Sequence, residues 1–164
     1  MTRRAAILGL GQRGRIWADV FRAAGWQTRG FDPDENIGRT GAWTREATIS
    51  GTVHGADWVA VCLPERLELM QKVMQRAQFE APEEAVFGVV TEEFGIEDIQ
   101  NCALRPANVM LAEAKADGGF ALDVSAKTTP RLRSIAEDLL AELAAHRSLE
   151  TPTAQPAPPD AESA

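Results

Sequence analysis

Three glycines spaced G-x-G-x-x-G, in Gly9-Leu10-Gly11-Gln12-Arg13-Gly14, are followed 18 residues after Gly14 by an acid, Asp32. Residues of these types at this spacing could hold a dinucleotide. In such a turn the first glycine lets the chain reverse tightly, the second lets backbone approach a pyrophosphate, and the third lets a helix close on a strand. Amides at the start of the helix then face the anion. The whole turn, with Leu10, Gln12 and Arg13 between its glycines, is the candidate binding segment. Asp32 stands close to the spacing of about 20 residues at which an acid accepts hydrogen bonds from the adenosine ribose. A carboxylate there favours NAD and repels the 2′-phosphate of NADP. The same aspartate could instead only open the turn "DPDE". Arg13 could lie along the pyrophosphate or be a solvated surface charge. Arg29 either softens the preference against NADP or points away from the nucleotide.

The elements that would position these residues can be read from apolar spacing. Strand-like runs fall at 5–10, 28–31, 58–63, 86–90, 109–112 and 120–124. Between the first two, Ile16, Trp17, Val20, Phe21 and Ala24 form a stripe at helical spacing, and Gly25 follows where a left-handed cap would stop the helix. Leu67, Met70, Val73, Met74 and Ala77 make a second stripe, closed by Pro82. A third helix is expected with Thr129 as its cap and Pro130 in its first turn, running through Leu132, Ile135, Leu139 and Leu143. Strands that are apolar along their length, alternating with helices, belong to a parallel sheet covered on both faces. The fold class is therefore α/β, a doubly wound, mainly parallel sheet of the Rossmann type in one domain. The segment 33–47 is rich in turn formers and reads as loop with at most a short helix.

Composition narrows the function classes. The 164 residues carry a net charge of −7, with 45% apolar and 25% charged residues, ordinary for a soluble domain. The acidic balance argues against nucleic acid and anionic lipid as partners. The longest apolar runs are too short to span a bilayer, and the N-terminus does not read as a signal peptide, so a cytoplasmic protein is expected. Cys62 and Cys102 match no metal or redox spacing and read as buried, reduced thiols. The domain is expected to occupy 1–147. From Ser148 to Ala164 the chain holds four prolines and little apolar bulk, and reads as a disordered tail.

Beyond the glycine turn, several ordered segments resemble the NAD-binding domain of the 3-hydroxyacyl-CoA dehydrogenases. The segment "WADVFRAAGWQTRGFDPD" is like that family's first helix and second strand. "GADWVAVCLPERLELMQKV" resembles its "ADLVIEAVPEDLELKQKV". "RPANVMLAEA" and then "FALDVSAKTTPRL" resemble its "RPERVVGLHFFNP" and "LVEVVRGEATSPET". The likeness covers most of residues 3 to 145. It implies bound NAD, with Gly9, Gly11, Gly14 and Asp32 holding the adenosine half and Leu63, Pro64 and Glu65 near the nicotinamide. It also implies a link with fatty-acid or hydroxy-acid metabolism.

The family's catalytic set is not reproduced. Its histidine aligns with Glu113 and its partner glutamate with Asp123. The loop "NTSS" becomes Val90-Thr91-Glu92-Glu93, and the first glutamate of "EAVPE" becomes Val61 while the second survives as Glu65. The family's helical C-terminal domain, which forms its dimer, has no counterpart in these residues. No catalytic or metal-ligating residue is therefore assigned. The reading is an NAD-binding protein not catalytic alone, acting as a sensor or as the subunit of a partner enzyme. The alternative is an NAD-dependent dehydrogenase for a 3-hydroxyacyl-CoA or a small, cationic hydroxy substrate drawn to Glu92, Glu93 and Glu113, with its lid supplied by a second chain. A third is an interaction module that docks a partner or a second copy of itself through the uncovered face.

Overall fold

A computed structural model describes residues 2–150 of the chain. The sheet is built on β1 (Arg4–Leu8), which is buried on both faces. Ala5 and Ile7 face one apolar cluster and Ala6 and Leu8 the other, which is why the run shows no alternation of apolar and polar residues. Helix α1 (Gln12–Ala23) returns along the first face. Its end is fixed by Gly25 at φ +78°, with the Gly25 amide donating to the Arg22 carbonyl and the Trp26 amide to the Phe21 carbonyl. Strand β2 (Gln27–Phe31) then lies parallel to β1.

The order of the seven strands places β1 centrally, with β2 and then β3 (Thr44–Arg45) on one side. On the other side come β4 (Trp58–Val61), β5 (Val86–Val89), β6 (Val109–Ala114) and β7 (Phe120–Asp123). All neighbours are parallel except β6 and β7, which form an antiparallel hairpin. Helix α5 (Pro130–Glu150) joins α1 on the first face. On the other face lie α2 (Ile49–Val53), α3 (Leu67–Glu80) and α4 (Ile96–Gln100). This is the doubly wound, mainly parallel sheet that the sequence predicts.

The first face is largely aromatic. The Trp17 ring stacks on Trp58 at 5.8 Å and on Phe120 at 5.5 Å. Gly88 makes this possible, because a Cβ there would stand 2.6 Å from the Trp58 ring. Thr129 caps α5 as expected, its hydroxyl accepting from the Leu132 amide at 3.2 Å.

Four readings change. The first strand ends at Leu8 rather than residue 10, because Gly9 takes φ +101° and leaves the ladder. The segment 33–47 contains no helix but the two-residue strand β3, while the short helix α2 follows it and α4 appears where no pattern was read. Cys102 is exposed; only Cys62 is buried, and both are free thiols. Helix α5 is described to Glu150, past residue 147; residues 151–164, read as tail, lie outside the described residues. No helix among the described residues is long and apolar enough to cross a membrane.

Candidate nucleotide site

The glycine turn leaves the carboxyl end of β1 at the centre of the sheet. A Cβ on Gly9 would lie 2.4 Å from the Cys62 carbonyl oxygen, and one on Gly14 would lie 2.1 Å from the Gly9 carbonyl oxygen. Strand, turn and helix are thus in backbone contact at both positions. Gly11 differs: a Cβ there would meet nothing within 4 Å, so its outer face is open. Gly11 is also the N-cap of α1 and no side chain caps that helix. The first-turn amides have no acceptors within the helix.

Asp32 ties the end of β2 to this turn. Its Oδ2 accepts from the Leu10 amide at 2.8 Å while Oδ1 accepts from the Asp34 amide at 2.8 Å. The carboxylate thus opens the "DPDE" turn, as one of the two readings from the sequence has it, and also braces the glycine turn, which neither reading included. A carboxylate can accept about four hydrogen bonds, and this one is only half-buried, which leaves room for hydroxyl donors. The Leu10 side chain points the other way. It is fully buried, and its atoms lie against Gly30 and Gly38. Gln12 is exposed at the helix start.

Arg13 is partly buried and paired rather than a solvated surface charge. Its guanidinium reaches away from the turn to the ends of β4 and β5, donating to Glu65 Oε2 at 2.9 Å, to the Leu63 carbonyl at 3.2 Å and to the Val90 carbonyl at 3.3 Å. Glu65 is held in turn by the Thr91 hydroxyl at 2.6 Å and the Glu92 amide at 2.8 Å. Burial alone would raise the Glu65 carboxyl, but the bonds from Thr91, Glu92 and Arg13 and the Arg13 charge outweigh it and hold the group below the usual glutamate range. Leu63 is buried and Pro64 exposed beside them. Thr91 is the residue that sequence reasoning did not assign to this cluster; nothing in its local pattern marks a hydroxyl that must reach a loop 26 positions away.

Two basic residues near Asp32 are occupied. Arg29 donates to the Gly51 carbonyl at 3.1 Å and lies 3.9 Å from the Glu46 carboxylate. Arg45, also unassigned from the sequence, donates to the carbonyls of Asp32, Asp34 and Ile37 and so folds the loop after β2.

Beyond Arg13 opens a cleft of about 500 Å³ between α1 and the β6–β7 hairpin. Trp17 and Ile16 line one side, and Glu92, Glu113 and Asp123 reach it from the others. Glu113 pairs with Ala121 and Asp123 with Leu111, so the two acids share one face of the hairpin as diagonal neighbours. Both are exposed. His54, at the end of α2, and His146, on α5, do not line the cleft. No group of three or more His, Cys, Asp or Glu residues among those described could hold a metal ion.

No protein-family model matches the chain. It is 31% identical to the L-carnitine dehydrogenase/betainyl-CoA thioesterase of Ruegeria pomeroyi, over 65% of this chain and 27% of the relative. It is 28% identical to the protein of the same name from a Rhizobium species, over 66% and 27%. The chain therefore spans about a quarter of the length of these curated relatives. Among solved structures, (S)-3-hydroxybutyryl-CoA dehydrogenase from Ralstonia eutropha superposes with a TM-score of 0.78 at 13% identity, over 88% of this chain and 62% of that one. An NAD+-dependent 5-dehydrogenase of a formyl-hydroxy-methylpyridine carboxylic acid gives 0.76 at 18%, over 87% and 55%. The 3-hydroxyacyl-CoA dehydrogenase of Archaeoglobus fulgidus gives 0.74 at 16%, over 86% and 54%. The chain has the fold of the NAD-binding domains of 3-hydroxyacyl-CoA dehydrogenases, as the resemblance of its segments implies.

Proposed function

We propose that this domain binds a nicotinamide adenine dinucleotide, NAD rather than NADP, at the carboxyl ends of β1 and β2. The observation that carries the reading is the Asp32 carboxylate braced on the Leu10 amide next to the open face of Gly11 and an uncapped helix start. The first-turn amides at Gln12 and Arg13 would take the pyrophosphate, and the free lone pairs of Asp32 the adenosine ribose. A 2′-phosphate would meet that carboxylate with Arg29 and Arg45 already engaged elsewhere. Leu63, Pro64 and Glu65 border the remaining length of the crevice. When bound, the cofactor would supply hydride chemistry.

The residues around the cleft support a domain that is not catalytic alone. At the place of the family's proton-accepting histidine stands an exposed carboxylate, Glu113, and no histidine lines the cleft. The role is then to sense NAD or to serve as a subunit, with a second copy or a partner enzyme covering the cleft. The cytoplasmic setting expected from the sequence goes with this reading.

Calorimetric titration with NAD, NADH and NADP tests it. Binding of both NAD forms at micromolar concentration, weakened by Asp32→Ala and at least tenfold weaker for NADP, is the expected result. No heat at millimolar ligand, from protein shown to be folded by circular dichroism, would overturn it.

A second reading is favoured by the acid-lined cleft: a dehydrogenase for a small hydroxy substrate, cationic like the carnitine in the names of the curated relatives, or for a 3-hydroxyacyl-CoA. Its mark would be substrate-dependent growth of NADH absorbance. No turnover across hydroxy acids, carnitine and hydroxyacyl-CoA at saturating NAD would remove it.

A further inference from the structure

We propose that Arg13 sets the ligand specificity of the nucleotide site: in its resting position the guanidinium bars the nicotinamide end, so the domain takes up the adenosine diphosphate part and gains no affinity from the nicotinamide. This rests on the dinucleotide reading of the site.

In an open α/β sheet, a ligand lies in the crevice at the carboxyl ends of the strands where the strand order reverses. Here that point is between β1 and β4, since β1 pairs with β2 on one side and β4 on the other. A dinucleotide seated by Asp32 on the β2 side must cross the start of α1 and continue past the end of β4 towards β5. The Arg13 side chain follows this same path. It leaves the first turn of α1, meets the Leu63 carbonyl just beyond β4, and ends at the Val90 carbonyl just beyond β5. The two halves of the crevice therefore differ. On the adenosine side Gly11 is open and the helix start uncapped; on the other side a side chain bridges wall to wall.

The bridge is anchored rather than loose. Arg13 and Glu65 are only 30% and 18% exposed, and Glu65 is itself fixed by Thr91 and the Glu92 amide. A carboxylate and two carbonyls share one guanidinium, an arrangement that uses the fixed fork of arginine. Entry of a nicotinamide would require the guanidinium to leave both carbonyls. Loss of even one hydrogen bond to a charged group corresponds to about tenfold in affinity. The phosphate seat is unaffected, because it is made of amides and Arg13 points away from it.

The test is titration of the intact protein with ADP, ADP-ribose and NAD, for the wild type, Arg13→Leu and Glu65→Gln, each confirmed folded by circular dichroism. The wild type should bind ADP and NAD with dissociation constants within about threefold of each other. Arg13→Leu, which keeps the backbone amide, should raise the affinity for NAD relative to that for ADP about tenfold. Glu65→Gln, which keeps the arginine but loosens its anchor, should move NAD in the same direction by less. Tenfold tighter binding of NAD than ADP by the wild type would overturn the proposal. So would an Arg13→Leu variant that weakens both ligands alike, which would make Arg13 a phosphate ligand, or one in which NAD still gains nothing over ADP. Absence of binding by ADP and NAD alike would refute the dinucleotide reading itself, and this inference with it.

Discussion

The Leu10 amide donates to Asp32 Oδ2 at 2.8 Å, so the acid at the end of β2 is part of the wall of the glycine turn as well as the residue proposed to hold a ribose. Leu10 is fully buried, and removing its acceptor leaves an amide with no replacement at hand. Asp32→Ala is therefore expected to cost about 1–3 kcal/mol of stability in addition to nucleotide affinity. Asp32→Asn, which keeps an acceptor oxygen, should restore most of the stability and less of the affinity. Urea midpoints measured beside the titrations separate the two effects.

Gly14 and Gly11 should respond oppositely to the same change. Alanine at Gly14 would gain helix propensity, worth about 1 kcal/mol, but its Cβ would meet the Gly9 carbonyl oxygen at 2.1 Å, a backbone atom that cannot rotate away. The clash wins, and a net loss of about 2 kcal/mol is expected. Alanine at Gly11 meets nothing. It should leave the melting temperature unchanged within a few degrees while weakening any ligand that must approach the backbone there.

Acid should release the Arg13 bridge. Because Glu65 titrates lower in the folded chain than the usual glutamate value of about 4.3, its ionised form stabilises the fold. That contribution is complete above the unfolded value and is lost as the pH falls through the folded one. The difference in denaturant midpoint between wild type and Glu65→Gln should be constant from pH 7 to about 5, then shrink on further acidification. A gap that widened on acidification would reverse the sign of this assignment.

The two thiols should differ sharply in reactivity. Burial pushes the Cys62 thiol up to about 12, with the Arg13 charge opposing it only in part, so it is neutral at pH 7 and shielded. Cys102 is exposed. One thiol per chain should react with a disulfide reagent in native buffer and a second only in denaturant; two rapid equivalents would contradict the packing around β4.

What could be read from the sequence depended on how local its cause was. The run 58–63 reads as a doubly buried strand because both faces of the strand it contains, Trp58–Val61, are covered, and the end of α1 is marked by a glycine whose backbone needs a left-handed turn. Strand β3 could not be read, since two residues pairing with Arg29 and Gly30 carry no apolar pattern and are held by the distant reach of Arg45 and by Trp43, whose ring lies where a side chain on Gly30 would be. In the site, the glycine spacing and Asp32 were legible because their geometry is backbone geometry. The direction of Arg13 was not, because its partners lie in loops that the sheet brings close only after folding. Cys102 follows a five-residue helix too short to show a stripe.

The braces of the site also differ in how far along the chain they reach, and this orders their assembly in time. Leu10 and Asp32 are 22 positions apart, whereas Arg13 and Glu65 are 52 apart and Arg4 and Asp57, which pin β1 beside β4, are 53 apart. Closing the longer loops costs about 0.5–1 kcal/mol more chain entropy, and they also need β4 to find its place by non-local pairing, the slow part of folding a parallel sheet. A refolding chain should therefore complete the Leu10–Asp32 brace first and swing Arg13 across the crevice last, so that for a short interval the crevice of the unfinished molecule is more open than that of the native one.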